Sequence, residues 1–345
     1  MTTTTPAAAT APDAAPGAAQ PATATFAAAL CAAQHDAMRL DETIVLLGQD
    51  VRAGFPFGAT KGLVDVFGPD RVVNTPISEA ATMGCGVGAA LGGIRPVVEV
   101  DFAGFLLLGL DQLVNNGAKL RYMSGGQASV PLVVRVGQGP LGSFAAQHSQ
   151  TQHAYLAGIP GLTVLAPATA QQAYDAMRWA LVQDDPVVLL EDMRLYRRGG
   201  PLTRGPVPGS VTSTVHRPGT DLTILTFGHG VVTALQAAQE VAARGIDVEV
   251  LGLDSLNPLD VAGVARSVRR TGRVLCLADD PPLFGTAATL SLVATTEAHD
   301  VLRAPVLSLG GRAVPTPYTP GLEALVYPTP GAAAEAITTL MKWTD

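Results

Sequence analysis

The sequence predicts an α/β chain of two domains, each with a mostly parallel sheet flanked by helices. Its 345 residues exceed one typical domain. Hydrophobic content of 48% against 15% charge is enough to build large buried cores. Short β-branched runs alternate with longer stretches of helical period, the rhythm of strand, helix and returning parallel strand.

Along the chain, residues 1–25 come first, nearly all Ala, Thr, Pro, Gly and Gln with Asp13 as the one charged side chain. They lack large side chains to offset the entropy of ordering, so a disordered tail is expected. No Lys or Arg precedes Arg39, which argues against a secretory or organelle leader and leaves the cytoplasm as the expected location. Strands are expected at Thr43–Leu47, Pro96–Val100, Pro131–Val136, Leu162–Leu165 and Pro186–Leu190, apolar on both faces as a buried parallel sheet requires. Residues 199–218 break the rhythm with prolines and glycines, the signature of a linker. Strands then resume at Leu222–Phe227, Val248–Leu253, Arg273–Leu277 and Pro305–Leu309, with a helical stretch over Val231–Arg244. The expected organisation is a tail at 1–25, a first domain at 26–198, a linker at 199–218 and a second domain at 219–345.

Several function classes are disfavoured. The 22 basic and 29 acidic residues give a net charge of -7 without a Lys/Arg stripe, so nucleic acid is not an expected partner. The longest apolar stretch, Phe102–Leu110, lies between two aspartates and reaches about half of the roughly 18 residues that span a bilayer. No membrane association is expected, and that stretch reads as core. Cys31, Cys85 and Cys276 lack metal-ligand spacing and read as buried thiols, and no metal ligands are expected on this chain.

Three segments carry candidate chemistry. In Asn74-Thr75-Pro76-Ile77-Ser78-Glu79-Ala80 a strand end leads through a turn into a small-residue helix, where α/β folds place ligands. Glu79 falls in the first helical turn, and a carboxylate there is also explained by the helix dipole alone. Asp101-Phe102-Ala103-Gly104-Phe105 puts an aromatic ring on a loop beside a glycine, although Phe105 reads equally as core. The glycine-rich segment from Gly137 to Ser143 leads to His148, which has amide and hydroxyl neighbours, a setting suited to acid/base work or to simple structural hydrogen bonding.

The order and flanks of these segments, over about residues 26–345, resemble one family: the beta subunit of the thiamine-diphosphate-dependent decarboxylase component of 2-oxo acid dehydrogenase complexes. The resemblance is carried by Ala59-Thr60-Lys61-Gly62-Leu63, Phe67-Gly68-Pro69-Asp70-Arg71-Val72, Pro76-Ile77-Ser78-Glu79-Ala80, Arg95-Pro96-Val97-Val98-Glu99, Asp111-Gln112-Leu113-Val114-Asn115, His148-Ser149-Gln150 and Arg194-Leu195-Tyr196-Arg197, among other short blocks. It implies a transketolase-like fold whose first domain binds the cofactor's aminopyrimidine, with Ile77, Glu79 and Phe105 as binding residues. It also implies that Glu79 shares a proton with the pyrimidine ring nitrogen, favouring the imino tautomer that deprotonates the thiazolium C2. Phe105 would stack on the pyrimidine, and His148 would assist proton or acyl transfer at the reacting centre.

The family's magnesium and diphosphate motif, Gly-Asp-Gly followed by paired asparagines, does not occur in this sequence. Mg2+ and the diphosphate are therefore expected on an alpha-type subunit, in an alpha2-beta2 heterotetramer, with a lipoyl acyltransferase core as a further partner. The substrate would be a small 2-oxo acid or a ketose-type donor. Gly84, Gly88 and Gly92 leave one helix face bare, for packing within the domain or against a second beta subunit. Three departures qualify the resemblance. Gln49 stands where the family has a glutamate assigned to coupling between sites; Asp279-Asp280 sits in a loop that usually holds glutamate; and Gly310-Gly311-Arg312 lacks the usual aspartate. They leave room for a split transketolase-like enzyme with a non-lipoyl acceptor, while retained Glu79, Phe105 and His148 argue against a non-catalytic scaffold.

Overall fold

A computed structural model describes residues 22–343. The tail expectation for residues 1–21 lies outside the described residues. Residues 22–25 depart from it: Ala22–Thr25 is a strand paired antiparallel with Gly199–Leu202. Thr25 then caps the helix Phe26–Leu40, its hydroxyl accepting from the Ala28 amide at 3.2 Å. Alternating threonines suit a pleated edge, and the cap fixes where helix replaces strand.

The first sheet has seven strands in the order Ser255–Asn257, Thr163–Leu165, Val187–Asp192, Val133–Gln138, Arg95–Val100, Ile44–Gly48 and Val72–Asn74. All neighbours are parallel except the first pair. The second sheet runs Leu307–Leu309, Val274–Leu277, Leu222–Thr226, Val248–Leu253 and Ser213–Arg217, with only the last strand antiparallel. The two expected sheets are therefore present, with two differences. The segment read as a linker contributes Gly199–Leu202 and Ser213–Arg217, because an edge strand needs pairing on one side only and tolerates the nearby prolines. Ser255–Asn257, from the second half of the chain, closes the edge of the first sheet, and Asn257 donates to the Leu162 carbonyl at 2.8 Å. The halves thus share a sheet edge as well as a face.

Central strands justify their composition. Every residue of Val133–Gln138, Val187–Asp192, Leu222–Thr226 and Val248–Leu253 is buried, and each fully buried Val, Ile or Leu contributes about 1.5–3 kcal/mol. The helix Val261–Thr271 starts where the Asp260 carboxylate accepts from the Gly263 amide at 2.8 Å and stops at Gly272, whose φ of 67° suits glycine. Two burial expectations are corrected. In Phe102–Leu110 only Ala103, Leu106 and Gly109 are buried, because the segment turns into the short helix Ala103–Leu106 at a strand end and leaves Leu107 and Leu108 exposed. Of the cysteines only Cys276 is buried; Cys31 is intermediate and Cys85 exposed, on the outer face of the helix Glu79–Leu91.

Candidate active site

The carboxyl ends of the first sheet's strands open into a cleft of about 1110 Å³. Glu79, Phe105, His148, Ile77 and Gln49 all line it. Glu79 is the first residue of the helix Glu79–Leu91, so its carboxylate sits at the positive end of the helix dipole. The turn before it is pinned: the Thr75 amide donates to the Gly48 carbonyl at 2.9 Å, and the Thr82 hydroxyl meets the Thr75 hydroxyl at 3.2 Å. Ile77 projects at 73% exposure on the same rim.

Phe105 belongs to the helix Ala103–Leu106, not to a loop, and His148 ends the helix Ala145–His148. Gly104 lets the two meet, because a Cβ there would lie 2.5 Å from the Gln147 carbonyl oxygen and 2.8 Å from Gln150 Nε2. The His148 ring consequently meets Phe102 at 4.7 Å and Phe105 at 5.2 Å between centroids, edge to face in both cases. Phe144 adds a third ring at 6.4 Å. One wall is thus aromatic, complementary to a flat heteroaromatic ring.

The opposite floor is charged. Arg135 lies between Glu99 and Glu191 on three adjacent strands; it donates to Glu191 twice at 2.8 Å and to Glu99 through Nη1. Tyr196 donates its hydroxyl to Glu191 at 2.7 Å, and both Tyr196 and Glu99 line the cleft. Burial raises the Glu99 pKa against the opposing pull of Arg135. Burial disfavours the Arg135 charge, but the two carboxylates outweigh it and raise its pKa. Beside them, burial and then the Glu99 and Asp50 carboxylates push Asp101 up to about 7, and its Oδ1 is buried without a hydrogen-bond partner among the described residues. A cleft carboxyl raised in this way by burial and acidic neighbours is the kind of group that can exchange protons. Arg194 approaches from the turn after the strand Val187–Asp192, its Nε bonded to Asp192 at 2.9 Å and its Nη2 to Asp279 in the second half.

The matched families divide the chain in two: residues 22–198 match the transketolase pyrimidine-binding domain and 212–332 the transketolase C-terminal domain. The pyruvate dehydrogenase E1 component subunit beta of Rhizobium meliloti is 37% identical over 93% of this chain and 71% of that protein. The acetoin:2,6-dichlorophenolindophenol oxidoreductase subunit beta of Bacillus subtilis is 36% identical over 85% of this chain and 90% of its own length. The chain belongs to this E1 beta-subunit family. Its fold matches the structure titled split gene transketolase, inactive beta4 tetramer, with a TM-score of 0.73 at 22% identity over 93% of this chain and 99% of that one.

In this E1 beta chain the structure brings Ile77, Glu79, Phe105 and His148 to one cleft. The aromatic partners Phe102 and Phe144, Phe57 against Phe102 at 5.9 Å between centroids, and the charged floor escaped the sequence reading. A signal for the floor was available: lone charges inside apolar strands, as in Val-Val-Glu-Val at 97–100 and Val-Val-Arg-Val at 133–136, mark buried partners. Gln49 faces the cleft, so the departure lies at the site itself. Of the three glycines read as a bare face, only Gly88 is open, with nothing within 4 Å of a Cβ there. A Cβ at Gly84 would meet the Gln112 side chain of the same domain at 3.6 Å and one at Gly92 the Ala89 carbonyl oxygen of its own helix at 3.4 Å, while the tightest packing position on that helix is Gly86, whose Cβ would lie 2.6 Å from Val98. Among the described residues no helix is long and apolar enough to cross a membrane.

Proposed function

We propose that this E1 beta subunit works in the cytoplasm with an alpha-type subunit, as alpha2-beta2, to decarboxylate a small 2-oxo acid with thiamine diphosphate and pass the acyl unit to a lipoyl group. The observation that carries the reading is the convergence of Glu79, Phe105 and His148, from three separate segments, on one cleft that Asp101 also lines. When bound, thiamine diphosphate supplies a nucleophilic thiazolium carbon and an electron sink for decarboxylation.

The chain's own residues would do the following. Glu79, in the first turn of its helix, would share a proton with the pyrimidine ring nitrogen. Phe105, with Ile77 on the rim, would bound the flat ring and exclude water from it. His148, seated edge to face between Phe102 and Phe105, would exchange protons with the substrate's reacting oxygen. The relatives named above are both subunits, and they act on pyruvate in one case and acetoin in the other by their names, so the family does not fix this chain's substrate. We assign Mg2+ and the diphosphate to the alpha-type partner, and a lipoyl acyltransferase core to the larger assembly. Gln49 in the cleft favours, as a second reading, transfer to a non-lipoyl aldehyde acceptor from a ketose-type donor.

Calorimetry of the chain alone and with its alpha-type partner tests the split site. Tight, magnesium-dependent thiamine diphosphate binding is expected only in the mixture; the same affinity for the chain alone would refute it. Product analysis with a lipoyl domain and with an aldehyde then separates the two acceptors.

A further inference from the structure

The segment carrying Phe144 and His148 is held in an unusual shape. Ser143 and Ala145 adopt φ of 61° and 60°, left-handed values that side chains with a Cβ disfavour. Such a conformation persists only where its surroundings impose it. The surroundings come from the far end of the chain. The Ser143 amide donates to Glu323 Oε2 at 2.8 Å, across 180 residues of sequence. At the other end of the segment, the Tyr327 hydroxyl donates to the Ser149 carbonyl at 3.1 Å and meets the Thr316 hydroxyl at 2.7 Å.

Glu323 and Tyr327 are themselves anchored. Glu323 is 6% exposed and closes the short helix Pro320–Glu323, its amide donating to the Thr319 carbonyl at 2.9 Å. The Tyr327 ring lies 5.8 Å from the Arg194 guanidinium, which Asp192 and Asp279 hold from both halves of the chain. One loop of the second half therefore grips the 143–149 segment at both ends, and between the grips lie Phe144 and His148, two residues of the cleft. A buried carboxylate accepting a backbone amide is a charge-assisted bond, stronger than a neutral one.

We propose that Glu323 and Tyr327 are positioning residues of the active centre, which hold the 143–149 segment in the shape that presents Phe144 and His148 to the cleft. The catalytic part of this inference rests on the proposed role of His148; the structural part does not. It makes the C-terminal half a determinant of the pyrimidine-side cleft, through backbone contacts and not through a group that touches substrate.

The test uses the assembled enzyme with its alpha-type partner. Amide hydrogen exchange over residues 140–152, followed by mass spectrometry, is expected to quicken by about tenfold or more in Glu323→Ala. Glu323→Gln keeps an oxygen that accepts from Ser143 but not the charge, and is expected to fall between wild type and Glu323→Ala. Tyr327→Phe, which keeps the ring, is expected to quicken exchange near Ser149. Unchanged exchange in both Glu323→Ala and Tyr327→Phe would overturn the proposal. Single-turnover acyl transfer provides the second readout: Glu323→Ala is expected to slow it by about tenfold in the wild-type background and not further in His148→Ala. An equal additional loss in His148→Ala would show that Glu323 does not act through His148. If His148→Ala alone leaves acyl transfer unchanged, the reading of His148 falls, while the exchange rates still decide whether the grip exists.

Discussion

Replacing Arg135 with methionine should cost as much stability as a large apolar truncation in the first sheet. Arg135 is 2% exposed and Glu191 0%, and the guanidinium neutralises two carboxylates at once. Without it, Glu99 and Glu191 stay behind as buried charges, and removing one partner from a buried ion pair typically costs about 3–5 kcal/mol. Urea unfolding at pH 7.5, followed by circular dichroism, should place the mutant midpoint lower by about 1 M or more. The pH dependence has a definite sign. Burial already raises the Glu99 pKa in the wild type, and loss of the opposing Arg135 raises it further. The folded mutant then holds an extra proton between the unfolded value near 4.3 and the raised one, so its deficit is full above the raised value and narrows on acidification. Adding Glu99→Gln and Glu191→Gln should recover most of the loss at pH 7.5, because neutral amides tolerate burial when hydrogen-bonded. A midpoint within about 0.2 M of wild type at pH 7.5, or a deficit that does not shrink toward pH 5, would show that Arg135 does not hold two buried carboxylates in the fold.

Gly88 and Asp254 each give a further expected outcome. Gly88→Leu should leave the urea midpoint of the chain nearly unchanged, because nothing lies within 4 Å of a Cβ there, yet should block assembly with the alpha-type partner; an intact heterotetramer in sedimentation would show that this helix face is not a subunit contact. Burial, with Asp175 adding to it and the Thr214 hydroxyl opposing, pushes Asp254 up to about 7, so its carboxyl favours the fold below the unfolded value near 4 and loses that advantage as pH rises through 7. Asp254→Asn should therefore gain on wild type by about 2–4 kcal/mol between pH 5 and 8 in urea unfolding, and parallel curves for the two proteins would contradict this.

The sheets were legible because their central strands are buried on both faces, and runs such as Leu222–Thr226 and Val248–Leu253 carry that burial in composition alone. Edge strands were not. Ala22–Thr25 and Gly199–Leu202 carry no apolar run, and their pairing joins segments that local patterning treats as tail and linker. Phe102–Leu110 misled because apolar residues at a strand end can line a cleft or a subunit surface as well as a core. At the site, Glu79, Phe105 and His148 could be singled out by their flanks, but their meeting depends on Gly104, whose missing side chain lets two short helices touch. The Glu323 and Tyr327 bonds to the 143–149 segment could not be read at all, since nothing local to either end encodes a contact across 180 residues.

The proposed function stands or falls with Glu79 as the source of the carboxyl proton shared with the pyrimidine ring of bound thiamine diphosphate. Glu79→Gln keeps the shape and an amide able to hydrogen-bond, and at a half-buried cleft position it should change stability little. Deuterium exchange at the thiazolium C2, followed by NMR in the enzyme assembled with its alpha-type partner, isolates the first proton transfer from decarboxylation and acyl transfer. In Glu79→Gln the exchange should slow by roughly 10² or more, about 3 kcal/mol of barrier, as expected for the loss of one positioned acid/base group. Exchange at the wild-type rate in a correctly assembled, cofactor-loaded mutant would contradict this and remove Glu79 from the mechanism.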